Sequence, residues 1–257
     1  LGIKPEQVIV YAADTDLTPF DVGAYASSGT FISGGAVLRA AMKIREQIFE
    51  VAKEIFGEYD ERDFVLEDGK VTSKKTGKSV TLSEIAYQTL YVKNQHQIAA
   101  TGSMVSPYSP PPFAAHFVEI EVDEETGIIT PIKYVTAVDC GTPLNPELVR
   151  GQIIGALVNG LSYALSEEYK FTDSGRMVSS NFMEYRIPST RDIPEIVPIV
   201  VRTYEPTGPY GAKSVAEINI NGPIPAIGNA LYDALGVRVH KVPYIPERVL
   251  EAIRSKK

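Results

Sequence analysis

Apolar and polar positions recur along the chain with two different periods, and the helical one is clearest in residues 36–56. There Val37, Ala40, Ala41, Ile44, Ile48, Val51, Ala52 and Ile55 share one face, while Arg39, Lys43, Glu46, Glu50 and Glu54 lie elsewhere. This spacing predicts a helix with one face in a core, ended by Gly57. Further helices are expected over residues 147–167, 225–235 and 246–253. Asn145 and Pro146 supply the cap and first position of the 147–167 helix. Ser83 is expected to cap a shorter helix over 84–92.

The two-residue period appears in residues 114–139, where Phe117, Ile120 and Val122, then Ile132, Tyr134, Val135 and Val138, flank a turn at 123–127. These form a hairpin at the centre of a sheet. Residues 7–14, 97–104, 196–204 and 237–242 read as strands, and 63–81 and 169–178 as hairpins. Asp68-Gly69 and Thr76-Gly77 mark turns in the first of these hairpins. Hairpins and helices are interspersed without regular βαβ alternation. The expected class is α+β, mixed sheets with packed helices, in two lobes spanning residues 1–96 and 97–257.

Composition narrows the function classes. With 257 residues, 44% of them hydrophobic, the chain can bury a substantial core. A formal charge of −7 with no internal basic stripe argues against nucleic-acid binding. No apolar run approaches the roughly 20 residues that span a bilayer. Cys140 is the single cysteine, which excludes an internal disulfide framework or a Cys-built iron–sulfur or zinc site. A cytoplasmic location is the default expectation. The chain starts at Leu1, so it is expected to be a processed or excised part of something larger. His96, His116 and His240 have no ligand-spaced neighbours and read as structural.

Candidate chemistry lies in three stretches. Residues 208–222 place one carboxylate, Glu217, at the end of a run of small residues; it is a possible general base, although a solvated loop glutamate is the simpler reading of spacing alone. Gly208, Gly211 and Gly222 suit turns or close approach to a ligand. The cluster Ala26, Ser27, Ser28, Gly29, Thr30 offers hydroxyls and backbone N–H groups to an anion, or alternatively caps the following helix. In the 147–167 helix, Gly151, Gly155 and Gly160 require a compensating close approach. Gln152 among them could hydrogen-bond a heterocycle in both directions, although an ordinary polar helix residue is the simpler reading of its position alone.

Asp139-Cys-Gly, Asn145-Pro, Gly151-Gln152 and Gly155 are followed by Gly211-Ala-Lys-Ser-Val-Ala-Glu217 and Pro225-Ala-Ile with Asn229-Ala. In this order they resemble the molybdenum hydroxylases, the xanthine dehydrogenase and aldehyde oxidoreductase relatives. The resembling part is the C-terminal half of the molybdopterin-binding large subunit. The resemblance implies that Glu217 is the catalytic base, activating a water-derived oxygen for attack on an electron-poor carbon. It implies that Gln152 and the Ala26–Thr30 loop bind the pterin and its phosphate, with Asn145 a weaker candidate, and that no protein side chain ligates the metal. The cofactor would be a molybdopterin, possibly in its cytosine dinucleotide form. Iron–sulfur clusters and FAD would lie on partner subunits or domains, beside the N-terminal half of the molybdenum subunit.

A purine or other N-heteroaromatic leads as substrate; aldehydes, carbon monoxide and a non-catalytic assembly module remain open alternatives. The chain departs from the family pattern at Ser214 and Ala216, which replace glycines. It departs again at Ile218-Asn219, where Pro-Pro is usual, a change expected to bear on the pocket wall.

Overall fold

The computed structural model describes residues 1–58, 60–93 and 95–256. The chain forms two compact units, one made of Leu1–Tyr25 with Ile32–Pro107, the other of Ala26–Phe31 with Tyr108–Lys257. Both combine helices with sheets, so the class is α+β. Among the described residues no helix is long and apolar enough to cross a membrane.

In the first unit, α1 (Gly34–Phe56) packs beside an antiparallel meander of β1 (Phe64–Glu67), β2 (Lys70–Ser73) and β3 (Ser79–Thr81). The apolar face read from the sequence is buried through its middle, with Phe49 added to it, while Val37 and Ile55 at its ends are exposed. Ile48, Phe49 and Ala52 meet Phe64, Val71, Val80 and Ile85, and the Phe49 and Phe64 rings meet edge to face at 5.7 Å. Asp68 and Gly69 both take positive φ, 50° and 70°, as their turn type requires. The following helix, α2 (Leu82–Tyr87), is capped by Thr81 rather than Ser83. Thr81 Oγ1 accepts from Glu84 N at 3.1 Å and the Glu84 carboxylate accepts from Thr81 N at 2.8 Å. This reciprocal box satisfies two otherwise orphaned N–H groups; a cap at Ser83 would satisfy one.

The second unit holds a mixed sheet in the order β4 (Phe113–Val122), β5 (Ile129–Asp139), β6 (Glu195–Val201). β4 and β5 form the expected antiparallel hairpin. β6 pairs parallel to β5, Tyr134 opposite Ile196 and Val138 opposite Val200. Parallel neighbours need a crossover, supplied here by α3 (Pro146–Leu165) and the irregular chain after it. Two further helices, α4 (Ile218–Asn221) and α5 (Pro223–Leu235), precede the last, α6 (Pro246–Ser255). Tyr134, Leu157, Leu161, Ile227, Leu231 and Val249 form the core between sheet and helices.

Several expected strands are absent. Residues 7–14, 97–104 and 237–242 carry no strand assignment, and only one bridge, Phe171 to Met177, marks 169–178. Ile9, Val10 and Tyr11 are 82%, 74% and 72% exposed. An apolar run becomes a strand only where a neighbouring edge pairs with its N–H and C=O groups, and among the described residues none does so here.

Candidate functional site

The segment carrying Glu217 is built onto the end of β5. Gly211 sits at φ 86°, where a side chain would also run into Tyr204. From it Gly211 O accepts from Thr142 N at 2.7 Å and Lys213 N donates to Cys140 O at 2.9 Å, lacing residues 211–213 to the chain that leaves β5. The Lys213 ammonium is 8% exposed and lies 2.9 Å from Asp139 Oδ2, itself 17% exposed. It also donates to Pro111 O at 3.0 Å and stands over the Phe113 ring at 5.3 Å. Asp139 Oδ1 accepts from Thr203 Oγ1 at 2.6 Å and Gly141 N at 3.0 Å. Burial pushes the Asp139 carboxyl up, but the hydrogen bonds from Thr203, Lys213 and Gly141 outweigh it and hold the group below the usual carboxylate range.

Six residues beyond Lys213 the segment is tied to β5 again. Asn219 and Thr136 are fully buried. Thr136 Oγ1 donates to Asn219 Oδ1 at 3.1 Å, and Asn219 Nδ2 donates to Val215 O at 2.8 Å. Asn219 therefore faces the sheet and does not line a pocket wall. Between these ties Glu217 is exposed, with helical φ and ψ of −64° and −25°, at the start of α4. Its backbone N–H donates to Ser27 Oγ at 3.0 Å.

That hydrogen bond joins two of the stretches singled out in the sequence. Ala26 and Ser27 both adopt positive φ, 51° and 53°, unusual for residues with a Cβ and worth on the order of 1–3 kcal/mol of strain each. They lead into a π-helical turn, Gly29–Ser33, which continues as α1. Ser33 makes no side-chain cap; its hydroxyl donates to Asp21 Oδ2 at 2.8 Å.

The α3 glycines divide into two kinds. A Cβ at Gly160 would lie 2.5 Å from Ile220 O and 2.7 Å from Pro223, so its absence lets α3 and the α4–α5 junction approach. At Gly151 and Gly155 a Cβ would meet nothing within 4 Å. These two, with Gln152 between them, lie on exposed helix surface. Their helix-propensity cost has no return within the described residues, and a bound group covering this surface would provide one. Asn145 acts as the cap of α3, accepting from Leu148 N at 3.1 Å. Gly208, Gly211 and Gly222 are all close to protein atoms: Gly222 leaves room for the His116 ring and Gly208 for Ala212 O. His116 is a packing residue whose Nδ1 lies 3.2 Å from the Tyr134 hydroxyl, and burial pushes its pKa down.

Sequence reasoning missed Lys213, Asp139, Thr136 and Asn219 as supports for the site. A readable signal existed for the first pair, because one lysine and one aspartate each stand within runs of small and apolar residues.

Comparison with known proteins identifies the family. Residues 1–194 match the model of the molybdopterin cofactor-binding domain. The chain is similar to the probable hypoxanthine oxidase XdhD of Escherichia coli K12, 37% identical over 99% of this chain and 27% of that protein. It is also similar to the gamma subunit of the 6-hydroxypseudooxynicotine dehydrogenase complex of Paenarthrobacter nicotinovorans, 32% identical over 97% of this chain and 32% of that protein. Among solved structures it resembles quinoline 2-oxidoreductase from Pseudomonas putida 86, with a TM-score of 0.82 and 28% identity over 93% of this chain and 32% of that one. The chain thus spans about a third or less of the relatives named here. The chain belongs to the molybdopterin cofactor-binding domain family of the molybdenum oxidoreductases.

Proposed function

We propose that this chain is the C-terminal part of the molybdopterin-binding subunit of a molybdenum hydroxylase. The enzyme hydroxylates an electron-poor carbon with water-derived oxygen, a purine or other N-heteroaromatic being the substrate class. The observation that carries this reading is the 3.0 Å hydrogen bond from Glu217 N to Ser27 Oγ, which sets the proposed base beside the proposed cofactor loop. Relatives named for hypoxanthine and quinoline, both N-heteroaromatics, support the substrate class.

The residues present suit the cofactor. The Ala26–Ser28 turn offers N–H and hydroxyl donors to a phosphate. The bare surface at Gly151 and Gly155 admits a flat ring, and the Gln152 amide can donate and accept along its edge. The cofactor, in its cytosine dinucleotide form, would be held by Ala26, Ser27, Ser28, Gly29, Thr30 and Gln152, with Asn145 supporting them through the α3 cap. When bound, the group supplies the redox centre that accepts the substrate's electron pair. Glu217 takes up the proton of the attacking oxygen, its backbone held by Ser27 Oγ and the turn around it. Iron–sulfur clusters and FAD on partner subunits, and the N-terminal half of the molybdenum subunit, complete a cytoplasmic complex.

Glu217→Gln in the complete enzyme tests the assignment. Loss of a positioned base is expected to lower kcat by about 10²–10⁴-fold with molybdenum and pterin content unchanged. Retained turnover would overturn the catalytic role. A screen of the same enzyme against hypoxanthine, quinoline, benzaldehyde and carbon monoxide tests the substrate class; activity confined to the last two would refute it.

A further inference from the structure

We propose that Asn219 is a positioning residue for Glu217, acting through its donation to Val215 O; this rests on Glu217 being the base. The stretch from Lys213 to Asn219 is strapped to one strand at both ends, by Lys213 to Asp139 at 2.9 Å and by Asn219 to Thr136 at 3.1 Å. Asp139 and Thr136 are three residues apart on β5, whose Tyr134, Thr136 and Val138 are all fully buried, so the anchor is a central strand and not a loop. Within the stretch, Asn219 Nδ2 reaches back 2.8 Å to Val215 O. That contact spans Glu217 and closes the turn that carries it. Asn219 N donates to Ala216 O at 3.0 Å and Ile220 N to Glu217 O at 3.1 Å. Among these contacts the Asn219 amide is the side-chain group that closes the turn across Glu217.

The geometry also accounts for the departure from the family's Pro-Pro pattern. A proline ring stiffens a turn through its own φ and has no side-chain donor. Asparagine leaves φ free and fixes the same turn through two hydrogen bonds. The bond from Thr136 is buried and the one to Val215 O partly buried, which limits competition from water. The consequence falls on catalysis and not on substrate binding, because Asn219 itself is fully buried beneath the turn while Glu217 is on its exposed side.

The test uses the complete enzyme. Ionised, Asn219→Asp still accepts from Thr136 but cannot donate to Val215 O, Asn219→Ser cannot reach Val215 O in any protonation state of the site, and Thr136→Val keeps that donation. Displacing a catalytic group by about 1 Å can cost on the order of 10²-fold. Asn219→Asp is expected to lower kcat by about 10- to 100-fold with KM within about 3-fold and molybdenum content unchanged, and Thr136→Val, which loosens the anchor but keeps the turn closed, to lower kcat by less than Asn219→Asp does. In a Glu217→Gln background Asn219→Asp is expected to cost nothing further, since its effect runs through Glu217; a loss that multiplies would overturn the proposal. Wild-type kcat in Asn219→Asp would overturn it too. Should Asn219→Asp fail to load molybdenum, Asn219→Ser decides, because it buries no charge and is too short to reach Val215 O; the same kcat loss is expected. Failure of both to load molybdenum assigns Asn219 to folding and refutes positioning. Unchanged turnover in Glu217→Gln alone would instead sink the base assignment, an outcome separate from these.

Discussion

Replacing Lys213 by methionine removes one half of a nearly dry ion pair while keeping most of the side-chain volume. At 2.9 Å the attraction between the two charges is about 6 kcal/mol for an effective dielectric constant of about 20. Desolvating both groups offsets much of that, so the pair's net worth is small, but breaking it from one side strands a buried charge at about 3–5 kcal/mol. Asp139 keeps its bonds from Thr203 and Gly141 after Lys213→Met, which places that variant near 3 kcal/mol. Asp139→Asn removes the counter-charge and leaves one amide oxygen to be shared among Lys213, Thr203 and Gly141, so it belongs nearer the upper end of that range, about 4 kcal/mol. The double variant strands no charge and is expected to cost about 1 kcal/mol.

Urea unfolding reads these values by far-UV circular dichroism and by tyrosine fluorescence, usable because the chain has no tryptophan. Hydrogen exchange at Lys213 N–H, which donates to Cys140 O, reports the same opening locally and separates it from the first unit. Because the folded Asp139 carboxyl is held below its unfolded value, the pair contributes fully above pH ~4, the ordinary carboxylate pKa. Its contribution fades as pH falls through the lower folded value. Wild type and Lys213→Met therefore converge in acid. Single variants costing under about 1 kcal/mol each, the range of exposed pairs, would refute the reasoning.

Other outcomes follow from the helix surfaces and caps. Gly155→Ala meets open space and is expected to stabilise α3 by up to about 1 kcal/mol while lowering the molybdenum content of the complete enzyme; unchanged content would remove the cofactor from that surface. Gly160→Ala drives a methyl against Ile220 O and should destabilise by about 1–3 kcal/mol, read as a lower Tm. Thr81→Ala breaks the capping box at α2, costing about 1 kcal/mol and accelerating hydrogen exchange at Glu84 N–H.

What could be read in the sequence was what a single period or a local rule decides. The α1 face from Ile48 to Ala52 and the β4–β5 hairpin follow from spacing, and Asp68-Gly69 makes the turn its residues demand. What could not be read depends on partners distant in the chain. Residues 7–14 have strand composition but, among the described residues, no edge to pair with, and β6 pairs parallel with β5 across a long crossover. At the site, the resemblance pointed to Ser27 and Glu217 separately, while the hydrogen bond between them is a three-dimensional fact. Asn219 looked like a change in pocket chemistry because sequence does not tell which side of a turn a side chain takes; its burial against Thr136 decides that.

The Ser27–Glu217 contact also has a consequence for the order in which the protein folds. Its two ends are 190 residues apart. Closing a flexible loop of that length costs about 5 kcal/mol of chain entropy, against about 1 kcal/mol returned by one hydrogen bond. The contact therefore cannot form on its own, and waits until β5, α3 and the 213–219 stretch have brought its ends together. Residues 26–31 are therefore fixed late relative to the 213–219 stretch they meet. A cofactor bound at these residues, as proposed above, would meet a nearly finished fold, and its insertion would then follow folding and not nucleate it.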